Sequence, residues 1–106
     1  MEKIIIISTT LEKKADAERI AELLLEVKLI ACAQISGPIT SLYRWKEVTT
    51  SATEFGLSLK TPPACTEKVK ALLHQEHPYE LPEIIVQEID RASLEYTQWV
   101  HGEVQP

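Results

Sequence analysis

The hydrophobic patterns of this 106-residue chain predict an α+β fold in which two helices cover one face of a four-stranded sheet. β-Branched runs and stretches of helical periodicity alternate in the order strand, helix, strand, strand, helix, strand, and one more helix ends the chain. Right-handed crossovers convert that order into a split βαβ, or ferredoxin-like, sandwich. A chain of this length has room for one hydrophobic core, so we expect a single domain over residues 1–106.

The first strand and the first helix occupy the N-terminal quarter of the chain. The run "KIIIIST" is β-branched without alternating polarity, which is typical of a central strand covered on at least one face. Thr10 is a suitable N-cap, and apolar residues then recur at helical spacing, so we predict a helix over residues 11–27. The apolar positions of this helix are Ala17, Ile20, Ala21, Leu24 and Val27.

A long strand and a hairpin follow. Residues 29–45 are β-branched and aromatic, and Gly37-Pro38 within them indicates a bulge or bend, because proline cannot donate to the ladder. The polar residues 46–53 are predicted to form the hairpin connection. Residues 54–60 alternate polar and apolar side chains, as expected of a strand with one buried face. The apolar positions are Phe55, Leu57 and Leu59.

The second half of the chain predicts a helix, a strand and a terminal helix. Thr61 before two prolines starts a helix, because proline at the first helical position lacks only a donor that is unpaired anyway. "EIIVQEI" at residues 83–89 is the fourth strand, and Ser93 or Asp90 caps the terminal helix. The second helix has the apolar stripe Cys65, Val69, Leu72 and Leu73, and the terminal helix places Tyr96, Trp99 and Val100 on a shared face.

Composition argues against two classes of partner. A net charge of −5 and the absence of a basic stripe argue against binding to nucleic acid. The run of four isoleucines near the start is too short for a signal peptide or a membrane span, so we expect a cytoplasmic protein with no membrane partner. Cys32 and Cys65 form no CxxC pair, and two reduced, buried thiols are expected.

The predicted sheet needs more cover than its own helices provide. Two short helices shield one face, and the long second strand lies at an edge of this topology with unpaired backbone groups. Symmetric self-association covers both features, so we predict a homo-oligomer.

Four segments of the chain resemble one known family. They are "LIACAQISGPITSLYRW", Glu54 with "LSLKT", "HPYELPEI", and the "YTQW" of the terminal helix, and their spacing also fits. By these motifs the chain resembles the CutA divalent-cation tolerance proteins over essentially its whole length. The resemblance implies a ferredoxin-like subunit in a tight homotrimer built by strand pairing between subunits, similar to the PII signalling proteins. It also implies a link to copper and other divalent cations.

Three positions depart from the family pattern. Ser8 stands where some members have a cysteine, and Glu76 precedes His77 where those members have two adjacent histidines. Lys46-Glu47 occupies a turn that commonly contains glycine. Oxygen donors thereby replace softer sulfur and nitrogen ligands, which argues against a copper-specific site.

The candidate metal ligands are His77, Glu76, Glu80 and Cys32. Imidazole, carboxylate and thiolate all bind divalent ions such as copper or zinc, and the four side chains would have to converge in the subunit or across an intersubunit cleft. The alternative is that His77 only locks the turn before the fourth strand, and that Cys32 only packs. Because Pro78 disfavours helical geometry at the residue before it, His74 and His77 are not expected to share a helix face.

A second set of candidates is mostly aromatic. The set is Tyr43, Trp45, Glu54, Lys60 and Tyr79. Aromatic rings with a polar tip are favoured at oligomer interfaces, and they could equally line a pocket between subunits.

No motif predicts an enzyme. The serines and threonines have no recognisable histidine–acid partners, and with three glycines the chain contains no glycine-rich phosphate loop. Three functions therefore remain open: a divalent-cation tolerance trimer, a PII-like regulator that binds a small ligand in intersubunit clefts, and a purely structural trimeric scaffold.

Overall fold

A computed structural model describes residues 2–106, with four strands and three α-helices. Their order is β1 (Ile5–Leu11), α1 (Lys14–Glu26), β2 (Cys32–Trp45), β3 (Val48–Thr61), α2 (Thr66–Glu76), β4 (Ile85–Glu88) and α3 (Leu94–Glu103). The strands form one antiparallel sheet in the order β2-β3-β1-β4. The predicted order of elements is confirmed, and β2 lies at a sheet edge as expected.

One face of the sheet forms the hydrophobic core. In β1 alternate residues are buried, and Ile7 pairs with Leu59 of β3, which is also fully buried. Ile20 and Leu24 of α1 pack into the same cluster, as do residues of α2. Burying a side chain of this size contributes about 1.5–3 kcal/mol, so this face holds the helices against the sheet.

The other face of the sheet carries exposed apolar side chains. Ile39, Tyr43 and Trp45 of β2 point to this face together with Ile85 of β4, and each remains at least 37% exposed. No helix of the described chain covers these four side chains. The predicted need for further cover is therefore visible in the single chain.

The hairpin between β2 and β3 is longer than predicted. β3 begins at Val48, so the prediction of a connection over residues 46–53 is wrong, and the turn consists of Lys46-Glu47 alone. Residues 48–53 pair with β2 through backbone hydrogen bonds, and none of their side chains is buried. Their sequence therefore lacks the marked alternation of apolar and polar residues that indicates a strand. Lys46 and Glu47 have φ angles of 49° and 70°, the left-handed region that favours glycine.

Several other predicted boundaries shift. Leu11 is the last residue of β1 and is fully buried against β3, so α1 begins at Lys14 rather than at residue 11. β2 begins at Cys32 rather than residue 29, and β4 covers only the middle of the predicted 83–89 strand. The second helix opens with a short 3-10 turn, Pro63–Cys65, before its α-helical part.

The bulge predicted in β2 is confirmed. The register of β2 on β3 shifts between Ser36 and Ile39. Gly37 has a φ of 125°, a conformation open to glycine and costly for other residues. This bulge sets which β2 side chains lie beside Glu54 farther along the hairpin.

The terminal helix packs at the end of the sheet where β1 and β2 begin. Ser93 caps it by accepting a hydrogen bond from the Tyr96 backbone N–H at 3.3 Å. Val100 is fully buried, whereas Trp99 of the same predicted face is 46% exposed. His101 lies 2.7 Å from the Lys3 carbonyl oxygen and 3.1 Å from the Glu2 carboxylate, so it ties the two ends of the chain together.

The two cysteines differ in environment. Cys65 is fully buried, as predicted, but Cys32 is only half-buried, so the prediction of two buried thiols is wrong for Cys32. The Tyr96 phenol lies against Cys32, where burial first and the thiol second raise the pKa of that phenol. Within residues 2–106, no helix combines the length and apolar character needed to cross a bilayer.

Candidate functional site

A cleft of about 1240 Å³ opens between the β2–β3 hairpin and the loop that follows α2. We call it the hairpin cleft; residues 41–45 and 51–54 line one side and residues 79–83 the other, with Thr10 and Glu12 at the end of β1. It lies where β1 stops and the hairpin continues without it. The long arm and the loop thus create the cleft together.

Glu54 is the most buried charged residue of the cleft, with 7% of its surface exposed. The Tyr79 hydroxyl donates a hydrogen bond to its Oε2 at 2.7 Å, and the Ser41 and Thr10 hydroxyls lie near the same carboxylate. Burial alone would raise the pKa of Glu54, but these hydroxyl groups, together with His77, outweigh it and lower the net pKa below its usual value. Glu54 is therefore a carboxylate at neutral pH.

Tyr79 is positioned by its neighbour His77. The Tyr79 backbone N–H donates to His77 Nδ1 at 3.1 Å, and the two rings meet edge to face with centroids 4.7 Å apart. Burial, and next the hydrogen bond to Glu54, raise the pKa of the Tyr79 phenol far above its usual value. The phenol therefore remains a proton donor to Glu54 throughout the physiological range.

His77 is 8% exposed, and both of its ring nitrogens are engaged. Nδ1 accepts the Tyr79 N–H, so the ring proton sits on Nε2, 2.9 Å from the Thr10 carbonyl oxygen. The Thr9 hydroxyl lies 3.0 Å from the same nitrogen. These contacts fasten the loop after α2 to the end of β1 and require the neutral imidazole.

Acidification is expected to destabilise the protein through His77. Burial, the largest influence, lowers its pKa below 6.5, although the Thr10 carbonyl opposes that shift. The unfolded chain therefore binds the proton more readily, so the stability contributed by neutral His77 is complete above pH 6.5 and is lost as pH falls towards the folded pKa. Urea unfolding from about pH 7.5 to about pH 5 measures this slope.

The matched control for that titration is His77→Gln, which keeps a polar side chain and cannot be protonated. Wild type should lose stability more steeply than the variant over this window, at fixed protein concentration. Parallel pH curves for the two proteins would contradict the assignment of the slope to His77.

The corner at His77 follows from the local sequence. Helix α2 ends at Glu76, and His77 adopts an extended conformation with φ −73° and ψ 131° because Pro78 follows it. His74 remains on the helix and is exposed. The prediction that the two histidines do not share a helix face is confirmed.

Within one chain, the four candidate metal ligands do not converge. His77 is bonded to the end of β1, Glu76 pairs with Arg19 of α1 at 2.8 Å, and Glu80 is exposed at the hairpin cleft. Cys32 pairs across the sheet with Lys60, far from His77. Among residues 2–106, no three His, Cys, Asp or Glu side chains are grouped as a metal site.

The aromatic set is largely brought together. Tyr43, Trp45, Glu54 and Tyr79 all line the hairpin cleft. Lys60 does not line the cleft. It lies six residues from Glu54 along β3, which is roughly 20 Å at the usual strand rise, and its ammonium group donates to Gln34 of β2.

Sequence reasoning did not select most of the residues that line the cleft, among them Thr10, Glu12, Ser41 and Glu83. Ser41 precedes Tyr43 and Trp45 at the period-two spacing of a strand, so its position on the same face was available from the sequence. Thr10, Glu12 and Glu83 reach the cleft only through the register of β1 on β3 and the path of the loop. No local pattern marks these three.

Comparison with known proteins identifies the family. The profile described as "CutA1 divalent ion tolerance protein" matches residues 5–103. The chain belongs to the CutA1 family. The resemblance inferred from the HPYELPEI and strand motifs is thereby confirmed.

Relatives in this family match over nearly the full chain. The divalent-cation tolerance protein CutA of Thermus thermophilus is 36% identical over 104 residues, which cover 94% of this chain and 95% of that protein. The crystal structure of the divalent ion tolerance protein CutA1 of Ehrlichia chaffeensis is 38% identical and covers 94% of both chains, with a TM-score of 0.90. A CutA structure from Archaeoglobus fulgidus, described as periplasmic, is 34% identical and covers 96% of this chain and 99% of its own, with a TM-score of 0.92.

These similarities support a role in divalent-ion tolerance and an antiparallel four-stranded α/β fold. The periplasmic description of one relative leaves the cytoplasmic location as a prediction from the sequence.

Proposed function

We propose that this CutA1-family chain is a cytoplasmic, homotrimeric, non-enzymatic protein of divalent-cation tolerance with a ferredoxin-like subunit. The observation that carries the proposal is the uncovered side of the sheet. β2 is a 14-residue edge strand, and the sheet face opposite the helices exposes Ile39, Tyr43 and Trp45. Strand pairing between copies would satisfy the edge and cover the face at once.

The subunit topology also supports this proposal. In the order β2-β3-β1-β4, the central strands are β3 and β1. The two strands that follow helices, β2 and β4, lie at the edges, as in a split βαβ sandwich. In the PII-like arrangement, such subunits meet edge to edge around a threefold axis. The hairpin cleft then lies beside the seam between neighbouring subunits.

A divalent ion would bind most readily at the carboxylates of the hairpin cleft. Glu80 is exposed there, and within residues 2–106 no lysine, arginine or histidine forms an ion pair with it. His77 would first have to release its bonds to Thr10 and Tyr79, and Glu76 its pair with Arg19. We therefore rank Glu80 first among the four sequence candidates, with Cys32 the most remote.

Mass measurement and metal titration test the proposal. Light scattering at micromolar concentration should give three times the 12.0 kDa chain mass, and a mass of 12.0 kDa would overturn the trimer. Calorimetric titration of Cu²⁺ and Zn²⁺ should give heats that fall in Glu80→Gln and persist in Glu67→Gln, an exposed carboxylate on α2. In His77→Ala, titrated in parallel, heats equal to wild type would remove His77 from the candidate ligands.

A PII-like regulator is the second candidate, and the size of the hairpin cleft favours it. Thermal shift with nucleotides tests it, because a ligand at about 100 times its dissociation constant adds about 2.7 kcal/mol. An unchanged melting temperature with nucleotides would reject this candidate. An unchanged melting temperature with metals as well would leave the structural scaffold.

A further inference from the structure

His101 and Glu2 bring the terminal helix and the segment before β1 into contact. His101 lies in the last turn of α3, and its Nδ1 is 3.1 Å from Glu2 Oε2. The two side chains are 24% and 60% exposed, so solvent reaches both. We call them the terminal pair. It lies at the end of the sheet where β1 starts and β3 ends, opposite the hairpin that carries Tyr43 and Trp45.

A main-chain carbonyl group fixes the orientation of the His101 ring. Nε2 lies 2.7 Å from the Lys3 carbonyl oxygen, which can only accept a hydrogen bond, so Nε2 carries a proton and donates it. In the neutral ring the lone pair is therefore on Nδ1, the nitrogen that faces Glu2. Histidines that bind metal ions in proteins are commonly oriented in this way, by a hydrogen bond from the other ring nitrogen. His77 differs, because both of its ring nitrogens are engaged by other groups.

The spacing of the terminal pair suits two ligands of one ion. With a neutral ring, Nδ1 and Glu2 Oε2 are both acceptors, and two acceptors 3.1 Å apart need a positive charge between them. A proton on Nδ1 or a metal ion can supply that charge. Metal–ligand bonds of about 2.0–2.2 Å at angles of about 90–110° place two ligand atoms about 3–3.5 Å apart. The observed separation lies in this range, so both atoms can bind one ion without a large movement.

We propose that the terminal pair binds a divalent transition-metal ion such as Zn²⁺ or Cu²⁺, with His101 Nδ1 and Glu2 Oε2 as its two protein ligands and water at the other positions. Imidazole nitrogen with carboxylate oxygen suits these ions, whereas Mg²⁺ prefers oxygen ligands alone. The inference rests on the proposed divalent-cation role for its purpose and adds a second place where an ion can bind. Both ligands belong to one chain, so binding here requires neither the trimer nor the hairpin cleft.

Zinc titration followed by nuclear magnetic resonance of the histidine rings tests the site directly. The protein is labelled with ¹⁵N, freed of metal with EDTA, dialysed, and studied as Glu80→Gln, which removes the first-ranked ligand of the hairpin cleft. We expect the His101 Nδ1 resonance to shift as one Zn²⁺ binds per chain, while the ring resonances of His74 and His77 stay in place. The same concentration of Mg²⁺ should leave all three rings unchanged.

Calorimetry on three further variants in the same background assigns the ligands. Loss of even an outer-shell partner of a metal ligand costs roughly 10–100-fold in affinity, so His101→Gln and Glu2→Gln should each weaken Zn²⁺ binding at least about tenfold. His74→Gln removes an exposed histidine of α2 and should retain the affinity. Circular dichroism checks the fold of each variant. Should His101→Gln not fold, Glu2→Gln still tests the site, because Glu2 is an exposed side chain.

A His101 ring that does not respond to Zn²⁺, or an affinity unchanged in Glu2→Gln, would overturn the inference and leave an ion pair held by a proton. Titrations with Glu80 intact separate this failure from that of the proposed function. Heats that depend on Glu80 and not on His101 would remove only the terminal pair. Heats that depend on His101 and Glu2 alone would support the terminal pair and reject the ranking of Glu80, and no heat with either Zn²⁺ or Cu²⁺ would reject both sites.

Discussion

Replacing His77 with alanine is expected to lower the free energy of unfolding by about 3 kcal/mol. The imidazole is buried and joins the Thr10 carbonyl oxygen to the Tyr79 backbone N–H. Alanine leaves both groups without a partner and opens a cavity at the end of β1. The loop that carries Tyr79 would lose its attachment, and the hydrogen bond to Glu54 would weaken with it.

His74→Ala is the matched control for this prediction. It removes the same side chain from an exposed position of α2, one turn before His77, and should change stability by no more than about 0.5 kcal/mol. Urea unfolding of both variants and wild type at one protein concentration measures the difference. Losses of similar size in the two variants would show that the His77 contacts contribute little.

Gly37→Ala is expected to destabilise the protein by about 2 kcal/mol. The φ of 125° at Gly37 is in a region that residues with a side chain rarely adopt. An added Cβ would also lie 3.0 Å from the Glu54 carbonyl oxygen and 3.2 Å from Phe55 Cδ2. The bulge would have to rearrange, and the adjacent backbone of Glu54 would move with it.

The same substitution at Gly102 should have the opposite sign. Gly102 lies in α3, and a Cβ built there meets nothing within 4 Å. Alanine in a helix is more favourable than glycine by up to about 1 kcal/mol, so Gly102→Ala should raise the melting temperature while Gly37→Ala lowers it. Thermal unfolding of the two variants side by side tests this, and two shifts of the same sign would contradict the conformational argument.

Local patterns were sufficient wherever a residue's role depends on its near neighbours. Alternate burial in the second half of β3, the helical stripes of α1 and α2 apart from the exposed Val27, and the Gly37-Pro38 bulge were predicted from spacing, whereas the alternate burial of β1 was not. The hairpin arm was underpredicted because residues 48–53 are mostly threonine and serine, and neither of their faces is buried. These residues pair through backbone hydrogen bonds, which any residue type can form. When neither face of a strand is buried, its sequence shows no alternation of apolar and polar residues.

The candidate site was predicted less completely than the fold. The motif HPYELPEI indicated a corner before the fourth strand, and its proline determines the extended conformation of His77. The partners of that corner were not predictable, because Thr9 and Thr10 are 67 or more residues away in sequence. The pairing of Tyr79 with Glu54 joins two motifs that sequence reasoning had noted separately.

By itself, the sequence determined the order of helices and strands, the family, and the chemical character of the candidate residues. Periodicity and turn chemistry act over a few residues, and these features depend on nothing more distant. Only the tertiary structure decided that Glu54, Tyr79 and His77 form one hydrogen-bonded chain while Cys32 and Lys60 lie elsewhere. The reason is physical: the distance between side chains far apart in sequence is set by strand register and loop path, which result from packing the whole chain.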